Sequence, residues 1–253
     1  MGAQARRRRA ASLAALALCL AAGPAVAQIA PDNAPTDAAS LPHTARELVD
    51  RYFAWRGAMA LEQLQTIHER LFVDGPGGRH PGDLWMDRDG RLRRETVSGG
   101  ARHVEVAGPE GAWTRDGDGP AQDSPGAAER ARRYARLVFG DALKGREGAS
   151  AELAGTADVE DHTWQVVRVG FGDADAYEAL IDPRSGVLCC FRITEAGVTR
   201  TELFGDWRLV AGVRMPFAQL TRAGADVSVT VGAVELNAPL TEALFQRPPA
   251  AGG

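Results

Sequence analysis

The first regular pattern in the chain is an amphipathic helix that follows Thr44. Its apolar positions recur every three or four residues, as one face of a helix requires: Leu48, Val49, Tyr52, Phe53 and Trp55. Thr44 and Glu47 have the spacing of a capping box, in which each side chain accepts a hydrogen bond from an exposed backbone amide. The pattern ends at Gly57, and a shorter helical turn is predicted around residues 59–64.

A second helix is predicted in the middle of the chain. Ser124 suits an N-cap, and Pro125 suits the first helical position, where its missing amide costs nothing. The apolar stripe that follows consists of Ala127, Ala131, Tyr134, Leu137 and Val138. The pattern predicts that this helix ends near Lys144 and Gly145.

Most of the remaining chain has the alternating pattern of strands. Ile67, Leu71 and Val73 are expected on one side of the first strand and Thr66, His68 and Arg70 on the other. Short strands follow at 83–87, 91–97, 102–107 and 112–115. After the second helix, strands are predicted at 163–171, 176–182, 187–194, 198–204, 206–210, 213–222 and 227–236.

The connections between these strands determine the fold class. They are short, whereas a parallel crossover needs about a dozen residues or more, so neighbouring strands are antiparallel. A sheet of about 11 strands twists and curls. The sequence therefore predicts an α+β fold in which a curved antiparallel sheet forms an unclosed half-barrel covered by two or three helices. No change of composition divides residues 44–248, which we interpret as one domain between a flexible lead-in at 28–43 and a tail at 249–253.

The N-terminus has the pattern of a cleavable export signal at residues 1–27. Arg6 to Arg9 are basic, Ala10 to Ala22 are apolar, and Ala25 to Ala27 form a small-residue cleavage site. The apolar stretch is shorter than the roughly 20 residues of a membrane-spanning helix. We predict cleavage after Ala27; acylation of Cys19 is the alternative, although Leu18 precedes it where a small residue is expected.

Charge and cysteine content narrow the possible partners. The net charge is -4, and no clustered basic surface is evident, so nucleic acid is not expected as a partner. Cleavage removes Arg6 to Arg9 and no acidic residue, which makes the remaining chain more acidic. It also leaves Cys189 and Cys190 as the only cysteines. Adjacent Cα atoms are about 3.8 Å apart, too close for an ordinary disulfide.

The sequence contains none of the common catalytic motifs for hydrolysis, phosphate binding, zinc or dithiol chemistry. Asp87 to Gly90 indicate a turn, because an EF-hand loop placed there lacks its first and twelfth ligands. Residues 158–162 gather carboxylates and His162, for which a solvated loop is favoured over a metal site. Cys189 is expected on the apolar side of its strand, with Cys190 opposite, and neither has a visible base. We therefore expect no enzymatic activity, metal or cofactor.

Large apolar residues on the strands are the remaining candidates for a site. A curved sheet with an apolar concave side can hold an apolar ligand where its helical cover leaves room. The alternative for each residue is ordinary core. The candidates are Trp85, Trp113, Trp164, Tyr177, Phe191, Trp207, Met215 and Phe217.

The last third of the chain resembles a known superfamily. The motifs are Asp182-Pro183-Arg184-Ser185-Gly186, Phe204-Gly205-Asp206-Trp207-Arg208, Ala211-Gly212-Val213-Arg214-Met215-Pro216-Phe217, and Glu235-Leu236-Asn237-Ala238-Pro239-Leu240 with Leu244, Phe245 and Pro248. Together with the first helix they resemble the LolA-like outer-membrane lipoprotein-sorting superfamily, with its LolA-, LolB- and RseB-like members. The resemblance implies a periplasmic, unclosed antiparallel barrel with helices across its mouth, which binds acyl chains of lipoproteins or another hydrophobic molecule. No functional residue of the family has a matching motif here.

Two functional hypotheses remain. The first is a periplasmic, non-enzymatic carrier or sensor that binds a lipid, the acyl chains of a lipidated protein or a similar apolar ligand, with an envelope protein as a further candidate partner. Its membrane contact would be peripheral or transient. The second is an interaction or structural module of the cell envelope whose concave side is filled by its own side chains.

Overall fold

The computed structural model describes residues 41–75, 78–173 and 175–249. The predicted export signal, most of the lead-in and most of the C-terminal tail lie outside these ranges. The helices are α1 (Ala45–Arg56), α2 (Met59–Glu62) and α3 (Ala127–Val138), with a short 3₁₀ helix at Glu242–Leu244.

Along the sequence, the strands form two groups, one before α3 and one after it. The first group comprises β1 (Thr66–Gly75), β2 (Gly78–Asp87), β3 (Leu92–Ser98), β4 (Ala101–Gly108), β5 (Gly111–Asp116) and β6 (Gln122–Asp123). The second comprises β7 (Ser150–Val159), β8 (His162–Gly170), β9 (Ala176–Ile181), β10 (Leu188–Glu195), β11 (Val198–Val210), β12 (Val213–Ala223) and β13 (Ala225–Leu236).

All these strands belong to one 13-stranded antiparallel sheet, in the order β6-β5-β4-β3-β2-β1-β13-β12-β11-β10-β9-β8-β7. Each group is a simple meander, and the two meanders join where β1 pairs with β13. The edge strands β6 and β7 do not pair, so the sheet is not closed into a barrel. The predicted fold class is confirmed, with a strand count that differs slightly from the expected value.

The difference in strand count has local causes. β6 is only two residues long, and β7 has an Ala- and Gly-rich sequence without clear alternation, so neither was predicted. In the opposite sense, the two strands predicted at 198–204 and 206–210 are one strand, β11. Asp206 adopts a positive φ of 49° and is not among the paired residues, but the register with β12 is the same before and after it, so the chain continues as one strand instead of turning.

The predicted capping box of α1 is confirmed. The Glu47 amide donates to the Thr44 hydroxyl at 3.2 Å, and the Thr44 amide donates to the Glu47 carboxylate at 3.3 Å. The helix ends at Gly57, whose φ of 127° favours glycine. The first amphipathic helix therefore begins and ends as its sequence pattern predicts.

The predicted bounds of α3 were wrong at both ends. The helix begins at Ala127, and its N-cap is Gly126 in the left-handed conformation, so the Ser124 side chain does not cap it. The helix ends at Val138 rather than near Lys144. Gly140 follows with a φ of 84°, a left-handed conformation that ends the helix, and a Cβ there would lie 2.3 Å from the Phe53 ring.

The main core lies between one side of the sheet, here called the inner side, and the three helices. α1 contacts β12 and β7, whereas α3 contacts β4 and β5. Two smaller apolar clusters lie on the opposite, outer side. One contains Val104, Val106 and Trp113, and the other contains Trp164, Val166, Leu180, Cys189, Cys190 and Leu203.

Candidate ligand-binding site on the inner side of the sheet

Four of the predicted site residues lie together on the inner side. Tyr177, Phe191, Met215 and Phe217 belong to the main core and are 0%, 2%, 1% and 7% exposed. Trp207 is half-buried beside them and meets Trp55 of α1 edge to face, with ring centroids 4.8 Å apart. β9, β10, β11 and β12 therefore supply one apolar layer beneath the helices.

The other three predicted site residues, all tryptophans, lie on the outer side instead. Trp113 packs with Val104 and Val106. Trp164 belongs to the second outer cluster. Trp85 is half-buried and stacks on His68 with ring centroids 4.8 Å apart. These residues cannot line the inner side as predicted, because successive residues of a strand point to opposite sides.

For two of these tryptophans, the alternation of inward and outward residues along the strand predicts the side of the sheet on which they lie. Leu84 and Met86 are both in the main core, so Trp85 between them points outward. Ala112 packs against the main core, so Trp113 points away from it. A choice of candidates by side-chain size alone therefore includes residues from both sides of the sheet.

The space between the sheet and the helices is filled by the protein's own side chains. Tyr52 of α1, Leu61 of α2 and Phe139 at the end of α3 are fully buried against the inner side. Phe53 is 5% exposed, and the Lys144 ammonium lies 3.8 Å from its ring centroid. The inner side and its helices therefore form a packed core.

Arg56, at the end of α1, connects this helix to two other elements. It is 3% exposed, and its Nε donates to the carbonyl of Arg214 on β12 at 2.6 Å. Its Nη1 donates to the Tyr52 hydroxyl at 2.5 Å and to the carbonyl of Val138 at 3.3 Å. All the acceptors are neutral, so one guanidinium holds α1 to the sheet and to α3 without an ion pair.

The turn at residues 182–186 holds the middle of α1. Arg51 donates from Nη1 to the carbonyl of Pro183 at 2.9 Å. Gly186 has a φ of 78°, and a Cβ there would lie 2.5 Å from the Arg51 carbonyl oxygen. Asp182 accepts hydrogen bonds from the Ser185 amide and hydroxyl; although burial acts in the opposite direction, these bonds hold its pKa below the ordinary value.

One carboxyl group interrupts the apolar inner layer. Glu69 of β1 lies between Ile67 and Leu71 on the inner side and is 4% exposed. Its Oε2 atom is buried and has no hydrogen-bond partner among the described residues. Burial raises the pKa of Glu69 to about 7, and the opposing effects of Arg56 and Arg94 are smaller. The sequence reasoning did not select this residue.

Further polar groups border the same layer. Burial, and after it the Glu202 carboxylate, raise the pKa of Tyr134 on α3 well above its ordinary value. Glu202 pairs with Arg200 at 3.0 Å, and Arg200 also pairs with Glu195 at 2.8 Å. The Tyr177 hydroxyl donates to Glu195 at 2.5 Å. The inner side thus combines an apolar layer with a border in which carboxylates outnumber their cationic partner.

The other polar clusters singled out in the sequence are engaged in local contacts. In the 158–162 loop, Asp158 accepts from the Thr163 hydroxyl, Glu160 pairs with Arg222, and His162 contacts Asp182. Their carboxylates and imidazole therefore point to separate partners. A search of residues 41–75, 78–173 and 175–249 finds no group of three or more His, Cys, Asp or Glu arranged to hold a metal ion.

The two cysteines lie on the same side, contrary to the prediction. The pairing of β9 and β10 shifts register between Leu188 and Cys190, so Cys189 is an extra residue. Both thiols consequently lie in the outer cluster. A contact with Cys190, and after it burial, raise the pKa of Cys189 above its ordinary value, which favours the unreactive thiol form.

Two depressions border the exposed side of α1. One, of about 440 Å³, lies among α1, residues 143–146 and Ala151. The other, of about 350 Å³, lies between α1 and residues 41–43. The larger one reaches Val49 and Leu143 of the main core, but neither is lined by the apolar residues of β9 to β12. None of the described helices is both long enough and apolar enough to span a membrane.

Comparisons with known proteins identify the fold. The structure is similar to a DUF1329 family protein from Desulfovibrio piger, with a TM-score of 0.53, 10% identity, and coverage of 80% of this chain and 97% of the other. It is also similar to a LolA superfamily protein from Nitrosomonas europaea, with a TM-score of 0.52, 8% identity, and coverage of 81% and 98%. No family model and no curated protein matches the sequence. The chain has a LolA-like fold, as its C-terminal motifs predicted.

Proposed function

We propose that this protein is an exported, non-enzymatic carrier or sensor that binds an acyl chain of a lipid or lipidated protein. The chain would lie between the inner side of the sheet and α1, α2 and α3. The observation that carries this proposal is the apolar layer of Tyr177, Phe191, Met215 and Phe217, which is covered by helices rather than by paired strands. Burial of each methylene group contributes about 0.8 kcal/mol, so an acyl chain has a strong drive to enter such a layer.

Ligand entry would exchange one apolar filling for another. Tyr52, Phe53 and Phe139 occupy this space. An acyl chain that displaces them keeps the inner side free of water, and its own burial offsets the apolar area that the displaced side chains lose. Movement of α1 would break the hydrogen bonds of Arg56, whose donors could then bind water or the ester carbonyls of the ligand.

The location and partners follow from the same proposal. The basic, apolar and small-residue segments of residues 1–27 support export to the periplasm. A lipid or lipidated protein would be the partner, and the domain over residues 44–248 would contact a membrane peripherally or transiently. An envelope protein that accepts or donates the ligand is a further partner within this proposal.

Quenching of tryptophan fluorescence by a brominated fatty acid tests the proposal. We expect binding below the critical micelle concentration, competition by unbrominated lipid, and quenching that falls in Trp207→Phe. Trp113→Phe is the matched control, because Trp113 lies on the outer side and its replacement should leave the quenched fraction unchanged. Saturable quenching that persists in Trp207→Phe but is lost in Trp113→Phe would place the ligand on the wrong side.

The second candidate is an envelope interaction module with a self-filled core. It is favoured by the burial of the inner layer, where Tyr177, Phe191 and Met215 are 0%, 2% and 1% exposed. This function predicts that no acyl probe binds below its critical micelle concentration. It also predicts that protein purified without added lipid releases no apolar compound to organic solvent, as measured by mass spectrometry.

A further inference from the structure

The polar residues on the inner side of the sheet indicate which chemical class of head group the ligand carries. We propose that Glu69 anchors a protonated amine, so that the ligand is a cationic amphiphile with an apolar chain. This inference rests on the proposed function, because chain and head group would share the inner side. It adds a chemical class of ligand and a specific recognition residue.

The first argument is the unsatisfied carboxylate. Glu69 is 4% exposed, and its Oε2 atom is buried without a hydrogen-bond partner among the described residues. Leaving a buried acceptor unpaired is unfavourable, and more so for a charged group. Ile67 and Leu71, its neighbours on the same side of β1, are both in the main core. The carboxyl group therefore points into the layer where the ligand's chain would lie.

The second argument is that nearby cations do not neutralise Glu69. Arg56 of α1 uses its donors on the Arg214 and Val138 carbonyls and the Tyr52 hydroxyl. The Arg94 side chain, on β3, is 48% exposed and pairs with Glu105 at 3.7 Å. No ion pair within the described part of the chain includes Glu69. Its charge is therefore available to a ligand.

The third argument is the charge of the surrounding groups. Tyr134 of α3 is half-buried, and after burial the carboxylates of Glu202 and, to a smaller extent, Glu69 raise its pKa, so all three groups belong to the same region of the inner side. Glu202 and Glu195 share a single cation, Arg200. These three side chains together leave one negative charge on this part of the border, beyond Arg56 and Arg94, the cations that act on Glu69 itself. An ammonium group would be attracted to it, whereas the carboxylate of a fatty acid would be repelled.

The geometry of donors and acceptors fits the same class of ligand. An ammonium group has three N–H donors and no acceptor. One donor can satisfy Glu69 Oε2, and the others can reach the Tyr134 hydroxyl or water at the border. A hydrogen bond between charged partners contributes about 1.5–3 kcal/mol, which corresponds to a tenfold or larger preference.

The preference should depend on pH. Burial raises the pKa of Glu69 to about 7, against the smaller effects of Arg56 and Arg94, so the carboxyl group is largely neutral at lower pH. Alkylamines remain protonated across this range, so only the protein changes its charge. The preference for an amine should therefore be larger at about pH 8 than at about pH 6.

The test compares dodecylamine, dodecanol and dodecanoic acid as competitors of a fluorescent acyl probe, below their critical micelle concentrations and at about pH 8. We expect the wild-type protein to bind the amine at least about tenfold more tightly than the acid. In Glu69→Gln the preference should fall to about threefold or less, while affinity for dodecanol is retained. Glu110→Gln, in an exposed turn, changes the net charge equally and should preserve the preference.

The outcomes separate this inference from the proposed function. Equal binding of amine and acid by the wild type, or an unchanged preference in Glu69→Gln, overturns the role of Glu69 but leaves acyl-chain binding intact. If none of the three compounds displaces the probe, or the probe itself does not bind, both proposals are wrong. Circular dichroism checks folding, and Glu69→Gln should fold because it removes a buried unpaired charge.

Discussion

The inner and outer sides of the sheet both bury large aromatic residues, yet they differ in what covers them. On the inner side, Phe191 and Met215 belong to one core cluster with residues of α1, α2 and α3. On the outer side, Trp113 is covered by the C-terminal segment around Phe245, and Trp164 packs within the β7–β8 hairpin. Both the helices and the segment around Phe245 lie outside the strand pairing, but the helices cover a layer that extends over four strands, whereas the segment covers one small cluster. The comparison teaches that a candidate ligand site is identified by the extent of the apolar layer and by what covers it, and not by aromatic content.

The largest expected difference between the two sides comes from one substitution made on each. Phe191→Ala should destabilise the fold by about 3–5 kcal/mol, because it removes a 2% exposed ring from the main core. Phe245→Ala should cost only about 1–2 kcal/mol, because Phe245 is half-buried in a small cluster. Urea denaturation monitored by circular dichroism measures both, and equal losses would show that the outer cluster is as important as the main core.

A second pair of variants tests how the inner cover is attached. Gly186→Ala places a Cβ 2.5 Å from the Arg51 carbonyl oxygen, whereas at Gly197, which has the same φ of 78°, a Cβ meets no atom within 4 Å. Both variants carry the backbone strain of about 1 kcal/mol, and overpacking adds about 1–3 kcal/mol only at Gly186. Thermal unfolding should rank Gly186→Ala well below Gly197→Ala. Equal melting temperatures would mean that the turn does not hold α1.

A third prediction concerns Glu69, the polar exception on the inner side. Burial raises its pKa from 4.5 to about 7, so the folded state binds the proton more tightly than the unfolded state. Its contribution to stability is complete below about pH 4.5 and is lost as the pH rises to about 7, a change of about 3 kcal/mol. Glu69→Gln should remove this component of the pH dependence and be more stable than the wild type at about pH 8.

The matched control for this pH dependence is Glu110→Gln, whose side chain is in an exposed turn. It should retain the wild-type decline in stability between pH 4.5 and about 7. Urea midpoints collected across this range provide the comparison. A decline of equal size in Glu69→Gln would contradict the assignment of the titration to the inner side.

The smallest expected effect on stability comes from a substitution of Thr44, the exposed N-cap of α1. Thr44→Ala removes the hydroxyl that accepts from the Glu47 amide and should destabilise the protein by about 1 kcal/mol. Thr44→Ser keeps that acceptor and is the control. If α1 can open without disturbing the rest of the fold, hydrogen exchange in α1 should increase in Thr44→Ala without an increase in β4 or β5.

The sequence predicted correctly those helices and strands whose capping residues and apolar spacing agree with the contacts they make in the folded protein. In α1, the capping box of Thr44 and Glu47 and the apolar spacing indicate the same helix, so its predicted bounds were right. Ser124 and Pro125 carry equally good local signals, but Gly126 turns the chain before the helix begins. β7 has little pattern of its own and is a strand because it pairs with β8. Tertiary pairing cannot be recognised from the composition of one segment.

The candidate site was predicted less completely than the fold. Bulges change which side a residue occupies, as at Cys189, and no local motif announces them. Glu69, in contrast, could have been found. It lies two positions from both Ile67 and Leu71 in an alternating strand, so the pattern already places a carboxyl group on the apolar side.

The pairing of β1 with β13 has a consequence for how the chain folds. These strands stand near opposite ends of the described sequence, yet Ile67 lies opposite Leu236 at the centre of the sheet. Each meander can form from neighbouring hairpins, whereas the seam between them closes a very long loop and must wait for the last strand. A chain that is still being synthesised has two incomplete sheets with exposed edges, which are the surfaces that promote aggregation. Slow closure of this seam would therefore prolong the time during which these edges need protection, until β13 is in place.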